Sequence, residues 1–174
     1  MGLIGSKKIA PRREEMQSEV QIKSAGLQRI AGVVLAVMWV TLDQITKSWA
    51  QANLTGHPEF LFGQMGFELV YNSGIAFGLA SGDSPLITFF GLAVSIVLLI
   101  ALFRTRRIFS TIGIALVLGG AMGNVVDRIF RHNNGAVIDF LHSGFWPTFN
   151  LADLGVVVGL AMVITSSSRA QPSS

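Results

Sequence analysis

The sequence predicts a mainly α membrane protein: four transmembrane helices with a small β-rich region on the extracytoplasmic surface. Three observations predict this. Four apolar stretches approach the roughly 20 residues that cross a bilayer, the cations gather in two places, and two intervening stretches are rich in Gly, aromatics and turn residues. At 51% hydrophobic and 13% charged residues, the composition departs from that of a soluble domain, in which about a quarter of residues are charged.

The chain opens with residues 1–28, which mix Lys7, Lys8, Arg12, Arg13 and Lys23 with Glu14, Glu15 and Glu19 and lead into no A-x-A cleavage site. This pattern predicts a polar cytoplasmic tail ahead of a retained helix, not a secretory signal peptide. Residues 29–168 are expected to form one membrane unit. Its first span covers about 27–49, apolar from Ile30 to Leu42 and interrupted by Asp43. The loop 50–83 follows, with Phe60-Leu61-Phe62 and Phe67-Glu68-Leu69-Val70-Tyr71 as short strands set off by Gly63 and Gly66. The second span, about 84–103, holds no charge, and the third stays uncharged from Ile108 to Val126 after Arg104-Thr105-Arg106-Arg107. The loop 129–149 contains the turn signal Asn133-Asn134-Gly135 and the interfacial anchor Phe145-Trp146-Pro147. A fourth span runs from about 150 to 167, and residues 169–174 form a second cytoplasmic tail.

Cations fix the expected orientation. The N-terminal region and the 104–107 loop carry most of them, whereas the 50–83 loop has none, so both termini are expected inside. Arg128 and Arg131 then fall outside and weaken the contrast slightly. Gly119/Gly123 and Gly155/Gly159 repeat at GxxxG spacing and read as helix-packing positions. No basic face alternates with aromatics, so nucleic acid is not expected as a partner. Cysteine is absent, which excludes disulfides, thiolate metal sites and a thiol nucleophile. His57, His132 and His142 lack ligand spacing, so neither a metal nor another cofactor is expected.

Acids near a membrane need a reason, because an unpaired carboxylate is costly there. At 1.5 Å per residue, Asp43 lies roughly 21 Å past Arg29 in a core of about 30 Å. Asp127 follows Arg107 by 20 residues and Asp153 opens the last span, so counting along three segments brings these acids to one depth near the outer face. Individually each has an ordinary explanation: Asp153 as a first-turn carboxylate, Asp127-Arg128 as a boundary ion pair, Asp139 as a loop residue among Ala136-Val137-Ile138 and Phe140-Leu141. Two carboxylates held together share one proton and serve as general base and general acid on a water molecule. That is peptide hydrolysis without a metal, and no G-x-S-x-G elbow offers an alternative.

Five ordered motifs carry a family resemblance: Leu42-Asp43-Gln44-Ile45-Thr46-Lys47, Asn72-Ser73-Gly74-Ile75-Ala76-Phe77-Gly78, Gly119-Gly120-Ala121-Met122-Gly123-Asn124-Val125-Val126-Asp127-Arg128, Val137-Ile138-Asp139-Phe140 and Phe149-Asn150-Leu151-Ala152-Asp153. With these the chain resembles, over almost its whole length after residue 28, the lipoprotein signal peptidases (signal peptidase II), membrane aspartyl endopeptidases of bacteria. The resemblance implies that Asp139 and Asp153 are the catalytic pair and that Asp43, Asn72, Asn124, Arg128 and Asn150 shape or support the site; Asp127 also matches a family position and is read here as a partner of Arg128, not as half of the pair. It implies a prolipoprotein substrate bearing diacylglycerol on its lipobox cysteine, cut just before that cysteine. The expected setting is the bacterial cytoplasmic membrane with the site near the outer leaflet, and a monomer is expected to suffice. Two features depart from the family: only 14 residues separate Asp139 from Asp153, and the charged N-terminal tail is an addition. The rival reading, a proton-coupled transporter, predicts inverted repeats and acids spread across the bilayer, and the sequence has neither.

Overall fold

The structure, a computed structural model, describes residues 10–74 and 85–168. Motif residues Ile75, Ala76, Phe77 and Gly78 and both chain ends lie outside the described residues. Helix α1 (Ala10–Asn53), strands β1 (Glu59–Phe62) and β2 (Met65–Asn72), helices α2 (Pro85–Arg104) and α3 (Ile108–Phe130), strand β3 (Val137–His142) and helix α4 (Leu151–Ser168) follow in order. All four helices are long and apolar enough to cross a membrane, as the sequence predicts.

The first helix begins earlier than expected. Its 44 residues span about 66 Å, twice a hydrocarbon core of about 30 Å. The polar stretch that the sequence presents as a tail is therefore helical from Ala10 onward. Pro11 stands in the first turn, where its missing N–H costs nothing, and the Arg, Glu, Gln and Met residues after it are good helix formers. Glu19 and Lys23 face each other one turn apart at 4.0 Å, an exposed pair that adds little.

Helix α3 is central, packed against α1, α2 and α4 and buried over most of its length. Small residues make this possible. A Cβ on Gly119 would lie 2.8 Å from Trp39 Cβ, and one on Gly123 would lie 2.6 Å from Asp43 Oδ2. On α4, Gly155 lies against the Trp39 indole and Gly159 against the Gly113 carbonyl, so the GxxxG positions are packing positions. Ala36, Leu102, Ile114, Ala115 and Leu118 form the core between α1, α2 and α3. The outward faces of α1, α2 and α4 expose Ile45, Phe89 and Val157 among many apolar side chains, as a lipid-facing surface does.

The sheet caps one end of the bundle. Antiparallel β1 and β2 form a hairpin turned by Gly63 at φ 59°. The third strand departs from expectation, because Val137–His142 reads as a loop until β2 supplies a partner. It pairs antiparallel with β2, setting Val70 opposite Asp139 and Asn72 opposite Val137. The expected Asn133-Asn134-Gly135 turn feeds it, with positive φ at Asn134 (53°) and Gly135 (73°). Trp49 of α1 meets Phe67 and Phe140 edge-on at 5.4 and 6.5 Å, and Ala50, Leu54 and Phe140 form a small core there. That contact seats β3 on the helix end, and with it Asp139.

Candidate active site

Asp139 is 2% exposed and both its oxygens are engaged. Asn72, at the end of β2, donates from Nδ2 to Oδ2 at 2.9 Å, and Asn150 donates from Nδ2 to Oδ1 at 2.6 Å. Asp153 sits three residues past Asn150, at the start of α4. Its N–H donates to Asn150 Oδ1 at 3.0 Å, while the Asn150 N–H donates to Asp153 Oδ2 at 3.2 Å. This reciprocal pair is a capping box, so the first-turn reading of Asp153 holds and fixes its rotamer. Its other oxygen, Oδ1, accepts from Asn124 Nδ2 of α3 at 3.0 Å. One residue, Asn150, thus touches both carboxylates, and it also donates to Asn124 Oδ1 at 3.2 Å.

The two acids differ in burial. Burial pushes the Asp139 carboxyl up to about 6; the hydrogen bond from Asn72 opposes this, the nearby charge of Asp153 adds to it, and Asn150 and Lys47 oppose it. Asp153 is only partly buried and accepts bonds from two N–H groups.

Beside the two acids lies a fully buried charge cluster. Lys47 Nζ contacts Asp43 Oδ2 at 2.8 Å and Asp127 Oδ2 at 2.9 Å, and donates to Asn124 Oδ1 at 2.9 Å. Asp43, Lys47 and Asp127 are each 0% exposed. Asp43, Asp127 and Asp153 therefore stand at one level of the bundle, as counting along the helices predicts. Gln44 completes the cluster by donating to Asp127 Oδ1 at 2.8 Å and to the Gly123 carbonyl at 3.1 Å. The sequence motifs alone assign neither Lys47 nor Gln44 to the site. A signal is nonetheless present: Lys47 is the only Lys or Arg between residues 30 and 103 and lies four residues after Asp43, on the same helix face.

One expected pairing is corrected. Asp127 does not pair with Arg128, since adjacent residues on a helix point about 100° apart. Its partners are Lys47 and, one turn on, Arg131 at 3.3 Å. Arg128 Nη1 donates to its own helix, at the Asn124 carbonyl, 3.3 Å away, and lines an outward cavity of about 510 Å³ with Phe89, Leu92 and Asn134. Arg131 instead ties α3 to α1 through Gln44 Oε1 (3.0 Å), the Gln44 carbonyl (2.9 Å), Ser48 Oγ (2.9 Å) and Gln51 Oε1 (2.6 Å). Arg131→Ala is therefore expected to lower detergent-phase stability by about 2–3 kcal/mol, with Arg128→Ala close to the parent protein. Equal melting temperatures for the two variants would refute this partner assignment.

A family profile described as Signal peptidase (SPase) II matches residues 35–169. The lipoprotein signal peptidase of Rhodococcus jostii is 43% identical over 78% of this chain and 68% of its own length. That of Mycobacterium leprae is 38% identical over 95% of this chain and 83% of its own. A solved bacterial membrane enzyme at 1.9 Å resolution superposes with a TM-score of 0.71 at 25% identity, covering 81% of this chain and 94% of that one. The charge cluster and the asparagine-bridged acids all lie within the residues that the family profile matches. The chain belongs to the signal peptidase II family of aspartic proteases and is a multi-pass bacterial membrane protein.

Proposed function

We propose that this enzyme removes signal peptides from diacylglyceryl-modified prolipoproteins by hydrolysing the bond before the lipid-bearing cysteine, with Asp139 and Asp153 as the reacting pair. The observation that carries this is the bridge made by Asn150, which binds Asp139 through its side chain and Asp153 through its backbone. Asp153, ionised, takes a proton from water as the water oxygen adds to the scissile carbonyl carbon. Asp139 gives its proton to the nitrogen of the scissile bond, the C–N bond breaks, and a neutral amine and a carboxylic acid are released. The pair ends with one proton, now on Asp153, and a shift back to Asp139 restores it. Asn72 and Asn150 hold Asp139, Asn124 holds Asp153, and Arg128 faces the approaching peptide from the outward cavity. Asp43 and Asp127 support the backbone beside the pair.

The lipid explains the position. Each methylene of a diacylglyceryl group left in the membrane contributes about 0.8 kcal/mol, so the scissile bond stays at the membrane surface. We place the sheet and both acids at the outer leaflet and both termini in the cytoplasm, with a monomer sufficient for activity. The test is incubation of purified protein with a lipidated prolipoprotein and its unlipidated counterpart. Release of the signal peptide from the first alone is expected, and release from neither would sink the proposal. For topology, a reporter after Arg106 should read as cytoplasmic and one after Gly63 as outside; both on one side would overturn the arrangement.

A further inference from the structure

Building on the assignment of Asp139 and Asp153 as the reacting pair, we propose that Lys47 is a positioning residue that sets the geometry of the pair through Asp43, Asp127 and Asn124. Three links run from its ammonium group. Asp43 touches Lys47 with Oδ2 and with Oδ1 accepts the N–H of Ala152, the residue before Asp153, at 2.9 Å. Asp127 touches Lys47 with Oδ2, and the same oxygen accepts the N–H of Ile138, the residue before Asp139, at 3.0 Å. Asn124 accepts from Lys47 at Oδ1, which leaves its Nδ2 aimed at Asp153 Oδ1. Both acids are thus held through the N–H of the residue before them by a carboxylate on the same ammonium.

Stability alone is a poor reason for this cluster. A buried ion pair seldom stabilises more than well-packed apolar residues of the same volume, whereas a shift of about 1 Å in a reacting group costs on the order of 10²-fold in rate. The ammonium has three N–H groups and three acceptors, so none remains free to leave the arrangement. Without it, the Asn124 oxygen keeps only the Asn150 donor at 3.2 Å, so the amide that aims its Nδ2 at Asp153 is held by one bond where it had two.

The charges balance in a way that permits a clean test. Lys47 and Arg131 offset Asp43 and Asp127, so Lys47→Met with Asp43→Asn removes one charge of each sign and strands none. The amide side chain that replaces Asp43 keeps an oxygen for the Ala152 N–H. In the full-length protein in detergent, the melting temperature is expected to stay near that of the parent. kcat per folded molecule on a lipidated prolipoprotein should fall on the order of 10²-fold, with KM changed less than about threefold, since no substrate contact is lost. The basic limb of the pH profile should also move up. Around Asp139 the charged groups are Lys47 from α1, Asp127 and Arg128 from α3 and Asp153 from α4, while Glu68 of β2 is engaged by His142 at 3.4 Å; of these, the double variant removes only the Lys47 cation.

A folded double variant with parental kcat and pH profile would show Lys47 to be structural only and overturn the proposal. Should the double variant not insert, Lys47→Arg takes its place, keeping the charge but not the shape of the ammonium. It is expected to lose kcat at constant KM, and parental kcat there overturns the proposal equally. An active Asp139→Asn protein in the same assay would instead remove the assignment on which the proposal rests.

Discussion

Asp139→Asn and Asp153→Asn are each expected to abolish turnover, by about 10³-fold or more, in protein that still inserts and folds. Asn keeps the shape of the carboxyl group but cannot exchange a proton, so the cycle of base and acid stops at its first step. Folding survives because two effects on Asp139 oppose one another. Its carboxyl is held up at about 6 against an ordinary 3.8. The folded state therefore binds the proton more tightly, and stability falls as pH rises from the ordinary value through about 6. Above that, the ionised buried group costs about 3 kcal/mol, which Asn removes. Against this, an Asn amide at 139 must face the donors of Asn72 and Asn150, and Asn72 cannot simply flip because its Oδ1 accepts the Gly74 N–H at 2.9 Å. Losing one such bond costs about 1–3 kcal/mol, so the two effects nearly cancel near neutral pH. In the proposed mechanism the two acids act as a unit, so the double variant should be little slower than either single one. The kcat/KM profile should be bell-shaped, with a basic limb near the Asp139 value of about 6 in the free enzyme. Infrared titration of the protonated carboxyl band should show that proton missing from Asp139→Asn. Activity surviving in Asp153→Asn would end the aspartyl-protease mechanism; activity in Asp139→Asn with a folded but inactive Asp127→Asn would move the pair to Asp127 and Asp153.

What can be read from the sequence divides along a physical line. Length and apolarity are properties of contiguous residues, so the four spans are legible to within a few residues of their ends, the start of α1 excepted. The level of the acids follows from helical rise alone. Strand β3 is not legible because its partner is remote: Asp139 pairs with Val70 across 69 residues of chain, and nothing local distinguishes Val-Ile-Asp-Phe-Leu-His from an apolar loop. The helical stretch before Gly26 is obscured for the opposite reason, since its charges suggest a tail although Arg, Glu and Gln favour helix. The Asp127–Arg128 pairing fails because adjacency in sequence is not contact on a helix. The helix brings Asp127 to Arg131 instead, four residues on. The same rule applied to Asp43 and Lys47 finds the buried ion pair. The family resemblance names the polar residues, but only geometry shows that Asn150 joins both acids and that Lys47 stands behind both.

Asn150 is where the remaining large effect is expected. Asn150→Ala removes the cap of α4, worth about 1 kcal/mol, along with the donors to Asp139 at 2.6 Å and Asn124 at 3.2 Å. Loss of a preorganised donor at a reacting group costs about 10²–10³-fold in kcat, far beyond what a change of about 1 kcal/mol in a folded protein does to the amount of active enzyme. Asn150→Asp separates the two roles. An aspartate still accepts the Asp153 N–H and caps the helix, but when ionised it cannot donate to Asp139, and at a fully buried position its charge costs stability of its own. It also sets a third carboxylate against that oxygen, and a like charge so close raises the Asp139 carboxyl further. The Asp variant should therefore keep the cap of α4 yet be nearly inactive at neutral pH. It should recover part of its rate on acidification, when the new carboxyl gains a proton and again has an O–H to donate, whereas the Ala variant should show no such recovery. Parental turnover by Asn150→Ala, or an Asp variant whose rate follows the parental pH profile, would mean that Asn150 serves the helix end alone and that the two acids are aligned without it.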